Sequence, residues 1–289
     1  MEYSEKRFTG ERALFAQKVV RLCNCIFADG ESPLKHSENV DACRVSFQWK
    51  YPLWYSKNIR IDQCAFLEMA RAGIWYAEDV ELKETIYEAP KGFRRVKRLT
   101  LRGVDLPHAQ ETLWSCDDVK LDGVSAKGDY FMMNCTDVDV QDLRLVGNYC
   151  FDGCKNVTVR KSKLLSKDAF WNCENVMIID SYITGEYLAW NSKNVTLIDC
   201  VVESLQGLCY VDNLVMKNCK LINTTYSFEY SKTDAQIDSR IDSVLNPSSG
   251  RIEAKEIGDL IIEKEYVDPA ATRIVCDAVD KHSDRPDWR

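Results

Sequence analysis

The segments CKNVTVRKSKL (Cys154–Leu164), CENVMIIDSYI (Cys173–Ile183), SKNVTLIDCVV (Ser192–Val202) and VDNLVMKNCKL (Val211–Leu221) restate one phrase every 19 residues. Asn156, Asn175, Asn194 and Asn213 anchor the copies, each followed by an apolar–x–apolar triplet. Alternation of period two after the anchor predicts a short strand with one buried face. The sixth and eighth positions after the anchor are again apolar or small, as in Ser181/Ile183 and Cys200/Val202. They predict a second strand beyond a tight corner. The fifth position before the anchor gives a third apolar row, with Phe151, Phe170, Ala189 and Leu208.

Working outward, the same anchor falls at Asn39, Asn58, Asp79, Arg98, Asp118 and Asp137. Successive spacings from Asn39 to Asn213 run 19, 21, 19, 20, 19, 19, 19, 19 and 19. Such regularity without low complexity marks a solenoid. Three short strands and no room for a helix predict an all-β, right-handed parallel β-helix. A leucine-rich repeat places its Asn after the strand, and a propeller blade needs about twice the length. Degenerate copies near Val19 (VVRLCNCIF), Asp234 (DAQIDSRI) and Asp259 (DLIIE) bring the expectation to about 12 turns. The expected layout is one domain over residues 1–289. Residues 1–18 would cap it, 19–231 form regular coils, and 232–289 form degenerate coils, a cap and a tail. LNPSSG (Leu245–Gly250) reads as a turn leaving the coil, and DKHSDRPDWR (Asp280–Arg289) as a polar, fraying end. At the anchors the chain must turn with positive φ, which Asn and Asp tolerate, and stacked copies should form an amide ladder.

An apolar content of 45% with 29% charged residues is that of a globular chain able to bury a core. No apolar run approaches the roughly 18 residues of a membrane span. The start MEYSEKRFTGERALFAQK has no apolar signal region, so a cytoplasmic protein is expected, with no membrane partner. A formal charge of −7 argues against nucleic acid. Locally, KGFRRVKRLTLR (Lys91–Arg102) carries six basic residues and no acidic one, and reads as a solvated basic rim.

Thirteen cysteines, an odd number without any CxxC, fit reduced thiols better than disulfides. Cys116, Cys135, Cys154 and Cys173 lie two residues before successive anchors, and Cys25, Cys64, Cys200 and Cys219 six after theirs. Ser stands in for Cys at Ser56, Ser162, Ser181 and Ser192. Parallel side chains about 4.8 Å apart are too distant for a disulfide, whose Cβ atoms sit about 3.8 Å apart. A straight row of four ligands makes a poor tetrahedron, so neither metal nor cofactor is expected.

Five of the seven tryptophans share the fourth position before the anchor, which reads Trp54, Trp75, Arg94, Trp114, Met133, Asp152, Trp171, Trp190 and Cys209. Alternation turns this column outward. Flat rings flanked by charges suit carbohydrate recognition, and a covering loop or partner subunit is the other explanation. The candidate ligand-binding residues are Lys50, Trp54, Arg71, Trp75, Lys91, Arg94 and Trp114. Their cations point to an acidic sugar or similar anion. Candidate acids and bases are Glu68, Arg71, Glu111, Asp129, Asp168 and Glu186, and spacing selects no pair among them. If the first group is not the site, Asp168, Trp171, Glu186 and Trp190 are the alternative.

The period and the Asn ladder resemble the pectin-lyase-like β-helices, many of which are polysaccharide lyases or hydrolases. More closely, the chain resembles a bacterial family of pectin-lyase-like proteins of uncharacterised function. The matching phrases include GERALF (Gly10–Phe15), WKYPLWYSKN (Trp49–Asn58), MARAGIWY (Met69–Tyr76), KDAFWN (Lys167–Asn172) and NPSSG (Asn246–Gly250). That resemblance implies a fold and no catalytic residue. Some members are labelled hydrogenase components, but this sequence has no cluster-binding cysteine motif. Three classes therefore stay open. They are a carbohydrate-binding or carbohydrate-processing protein (lyase- or glycoside-hydrolase-like if an enzyme), a non-catalytic scaffold with a covered tryptophan face, and a redox-associated component. A homo-oligomer is compatible with each.

Overall fold

The structure, a computed structural model, describes residues 1–288. It contains strands and turns and, among the described residues, no helix. The chain divides into two compact units, Met1–Gly147 and Asn148 onward. Both are parallel β-solenoids of about 19 residues per turn.

In the first unit the anchor-bearing strands include Lys57–Asp62, Glu78–Lys83, Lys97–Arg102 and Asp117–Asp122. They stack in parallel with identical residues of the phrase in register: Val80 lies between Ile59 and Leu99, and Leu82 between Ile61 and Leu101. All six side chains are buried, as period two demands. The second face is made of two- and three-residue strands such as Ala65–Phe66 and Ile86–Tyr87. Its inward rings stack from turn to turn: Phe27–Phe47 at 5.3 Å, Phe47–Phe66 at 4.5 Å and Phe66–Tyr87 at 4.5 Å between centroids. The third face is barely a strand, Ile74–Trp75 against Phe93–Arg94.

The second unit repeats this plan with the phrases Cys154–Leu164, Cys173–Ile183, Ser192–Val202 and Val211–Leu221. Val157, Val176, Val195 and Leu214 form one buried row. Its later turns run through Lys232–Ile237, Ser249–Glu253 and Thr272–Val275.

The turns number about fifteen rather than twelve. The extra ones lie at the degenerate ends. Glu2–Ser4 pairs with Val20–Cys23 as a complete first turn. DLIIE belongs to the second face of its turn, where Glu256–Ile261 lies between Arg240–Leu245 and Ala278–Ser283. LNPSSG does not leave the coil; Asn246 is buried at a corner and Ser249 returns to the ladder. Nor does the expected tail fray over residues 280–288: Asp280 to Ser283 are strand, and Asp287 hydrogen-bonds with Tyr226. Arg289 lies outside the described residues.

Every anchor from Asn39 to Asn213 has positive φ, between 51° and 68°. Asn58 donates to Asn39 at 2.6 Å in the first unit. In the second unit Asn175, Asn194 and Asn213 each donate to the preceding anchor at 2.9 Å. The amide satisfies a neighbour at the place where the backbone turns out of the ladder. Arg98 keeps the rung by binding both oxygens of Asp79, at 2.6 and 3.0 Å. Four of the six basic residues of the rim face carboxylates, since Arg98 also pairs with Glu78, Arg102 with Glu81, and Lys91 and Arg94 with Glu111.

All thirteen cysteines are free thiols. The interchange of Cys with Ser has a specific reason. Cys135 donates to the Leu113 carbonyl and Cys173 to that of Phe151, both at 2.9 Å. Ser192 and Ser231 do the same to Phe170 and Leu208, at 2.7 Å. The position needs a small side chain with one donor, which reaches the carbonyl of the preceding turn. Burial pushes the Cys64 and Cys150 thiols up to about 12.

Candidate functional site

One corner of each turn is built by a residue with positive φ, three positions before the tryptophan column. In the first unit these corners are Tyr51, Ala72, Lys91, Glu111 and Tyr130. In the second they are Tyr149, Asp168, Tyr187, Gln206 and Tyr226. Backbone bonds keep them in register, for example Asp168 N to Glu186 O at 2.8 Å and Tyr187 N to Leu205 O at 2.9 Å.

The tryptophans serve these corners. Trp75 Nε1 donates to the Lys91 carbonyl at 2.8 Å, Trp114 to Tyr130 at 2.7 Å and Trp171 to Tyr187 at 2.8 Å, each 16 residues onward. Trp54 reaches Ala72 in the same way. A half-buried indole thus satisfies a carbonyl that the left-handed corner turns away from the ladder.

In the first unit the rings also occupy one another. Trp54 and Trp75 stack parallel within 5°, with centroids 5.2 Å apart. The Arg94 guanidinium lies 4.5 Å from the Trp75 centroid and 4.6 Å from that of Trp114, filling the rung where a ring is missing. Glu111 Oε2 stands 3.1 Å from Lys91 Nζ and 3.6 Å from Arg94 Nη2. The second distance is an ion pair without a hydrogen bond, and Arg94 Nε and Nη2 are buried with no hydrogen-bond partner. Lys50 pairs with Glu31 at 3.3 Å. Arg71 and Glu68 are exposed and form no ion pair among the described residues. The structure therefore gathers Trp54, Trp75, Lys91, Arg94, Glu111 and Trp114 into one self-paired stack. On the outer strands, a groove of ≈ 350 Å³ is lined by Arg60, Glu81, Arg98 and Arg102, and its arginines 98 and 102 are likewise paired.

The second unit is arranged differently. Trp171 and Trp190 are 6.3 Å apart and tilted by 34°, and Trp190 meets Tyr210 at 41°. Among the described residues the Trp190 indole N–H has no partner. The carbonyl it would reach by register, that of Gln206, accepts from the Cys209 thiol at 3.3 Å. Beside these rings Asp168 is buried, at 8% exposure, between the corner residues Tyr149 and Tyr187. Its carboxyl is raised above the ordinary range, first by burial and then by the charge of Glu186, while a hydrogen bond from Tyr149 works against the shift. Glu186 is itself held by Lys167, with Nζ to Oε1 at 2.7 Å, and that pairing holds the Lys167 ammonium above its usual range. Two carboxyls in unlike environments, a free donor and four aromatic rings thus share one outer corner. Asp129, the remaining acid candidate, is half-buried in the first unit.

In the sequence these corners form a polar row three to four residues before the tryptophan column, including Tyr149, Asp168 and Tyr187 at 19-residue spacing, but its tyrosines are not among the candidate ligand-binding residues. Such spacing places all three on one corner of consecutive turns.

A profile of the family described as a protein of unknown function (DUF3737) matches residues 1–275. The chain belongs to that family. No curated protein matches this DUF3737 chain in sequence. Among solved structures it is similar to PfbA, a surface adhesin of Streptococcus pneumoniae. The identity is 10% over 96% of this chain and 70% of that one, with a TM-score of 0.29. It is also similar to the A-module of the Azotobacter vinelandii mannuronan C-5 epimerase AlgE4. There the identity is 12% over 99% of this chain and 87% of that one, with a TM-score of 0.28. The fold assignment rests on the chain's own strand register.

Proposed function

We propose that this DUF3737 protein binds carbohydrate along the outer corner of its second unit, on Tyr149, Asp168, Glu186, Tyr187 and Trp190. The observation that carries this reading is Asp168, a buried carboxyl beside splayed rings and an unengaged indole N–H. A buried carboxyl can accept from one sugar hydroxyl and, when protonated, donate to another. Tyrosine and tryptophan supply apolar ring surface with polar edges. The local charge, Lys167 paired with Glu186 and no further cation facing Asp168 among the described residues, suits a hydroxyl-rich neutral sugar better than an anion. The acidic sugar expected at Trp54–Trp114 is the weaker form, because Lys50, Lys91 and Arg94 already face Glu31 and Glu111.

The test is a binding screen of neutral oligosaccharides and oligouronates by calorimetry. Asp168→Asn should weaken the binding of a neutral oligosaccharide by about tenfold or more. Trp190→Ala should weaken it too, whereas Arg71→Ala, in the other unit, should leave it unchanged. No binder in either class, or a binder indifferent to both second-unit changes, refutes the proposal. One observation favours a second reading, that of a non-catalytic scaffold: the first unit's rings are fully engaged with one another and with Arg94. Under that reading the column stiffens a corner and recognises nothing.

A further inference from the structure

The corner strip of the second unit ends on Tyr226, and that end is occupied by the chain itself. After the strand Ala278–Ser283, the segment runs back until Asp287 accepts a hydrogen bond from the Tyr226 hydroxyl, 61 residues upstream. Trp288 sets its ring edge-on against Tyr226, with centroids 4.2 Å apart at 82°. The Tyr226 hydroxyl is pushed up to about 12, by burial first and then by Asp287, so it stays a donor at any physiological pH. Trp288 remains 47% exposed, so the contact is a latch rather than part of a core. The segment also lies beyond the residues that the family profile matches, 1–275.

The register gives this latch its meaning. Asp168, Tyr187, Gln206 and Tyr226 are successive corners, so the strip from Asp168 to Tyr226 spans three steps, about 14 Å at strand spacing. At its far end a carboxylate takes the tyrosine hydroxyl and a flat ring takes the tyrosine ring. A sugar lying along the strip would use the same two groups.

We propose that residues 284–288 form a strap that competes with ligand for the Tyr226 end of the strip. This inference rests on the carbohydrate reading above. A strap docked part of the time lowers the apparent affinity of any ligand long enough to need that end, in proportion to the fraction of molecules with the end free. Short ligands held at Asp168 escape the competition.

The experiment compares the full chain with a chain ended after Ser283, using cellobiose and cellohexaose, and maltose and maltohexaose, as probes. A full-length Asp287→Asn/Trp288→Ala variant serves as the second form, in case truncation impairs folding. Either change should tighten hexasaccharide binding by about threefold or more and leave disaccharide binding alone. Asp168→Asn should weaken binding with or without the strap. If Asp168→Asn weakens binding but neither strap variant changes the hexasaccharide, the strap is only an end cover and this inference falls while the binding reading stands. If none of the probes binds any form, both fall.

Discussion

The same corner column stacks face to face in the first unit and splays in the second. Between Trp54 and Trp114 each flat face meets another ring or the Arg94 guanidinium, the indole donors are spent on corner carbonyls, and Glu111 answers the cations. Between Trp171 and Cys209 the rings splay, one indole donor is unspent, and the acid beside them is buried. A single substitution accounts for much of the contrast. Cys209 stands where the ring after Trp190 would be, and its thiol takes the carbonyl of Gln206. Uniform periodicity therefore does not make a uniform surface. Ladder positions of one spacing carry a stacked column in one unit and a splayed one in the other.

Deleting a ring from each column breaks the comparison most sharply. Trp75→Ala removes a stacked partner, a cation–π contact and the donor to Lys91, leaving Arg94 with one ring. We expect a loss of ~2–4 kcal/mol, near the range for deleting buried aromatics. Trp190→Ala should cost less than half of that in the same urea titration. Equal losses would mean that the second column is as tightly engaged as the first.

A smaller effect, opposite in sign, is expected at Asp168. A carboxyl whose folded pKa lies above its unfolded value favours folding while protonated. Its contribution is complete below the ordinary carboxylate range and is lost as pH rises through the raised value. Asp168→Asn should therefore flatten that part of the stability–pH curve and leave the protein at neutral pH as stable as the wild type, or more so. A variant less stable at pH 7 than at pH 4, relative to the wild type, would contradict the burial argument.

The smallest effect belongs to Arg98→Asn, which replaces the ionic rung of the first unit with the amide rung of the second. Its carboxylate partners Glu78 and Asp79 are held below their usual range by the guanidinium, but the cluster is exposed. Stability should barely change at physiological salt. The wild type should gain more than the variant when salt is lowered, which thermal melts at two ionic strengths would show.

Most of the fold was legible because it is a statement about spacing. Period two marked the buried rows, and the Asn and Asp anchors marked left-handed corners, as Asn175 and Asn194 show at φ of 59° and 53°. The ends were less legible. Glu2–Ser4 and Ser249–Glu253 pair by backbone register without carrying the phrase. The state of the tryptophan faces could not be read at all. Alternation tells which side of a strand a residue takes, whereas the donation from Trp75 to Lys91 depends on where a corner carbonyl points one turn later. Asp168 was named among six acid–base candidates, and what distinguishes it, its burial, comes from the structure and not from the spacing.

The equal 19-residue steps between Asn156, Asn175, Asn194 and Asn213 also make these turns interchangeable to a folding chain. A segment that looped out one turn and set Lys155–Arg160 directly against Lys193–Ile198 would still oppose Val157 to Val195, Val159 to Leu197 and Asn156 to Asn194. Such a mispaired coil satisfies its neighbours almost as well as the native one, which is a degeneracy of the search rather than a weakness of the product. The first unit breaks it with landmarks: steps of 21 and 20 residues, and a single Arg98 anchor bonded to Asp79 where the other rungs are Asn or Asp. Irregular turns thus keep count for a chain whose regular turns cannot.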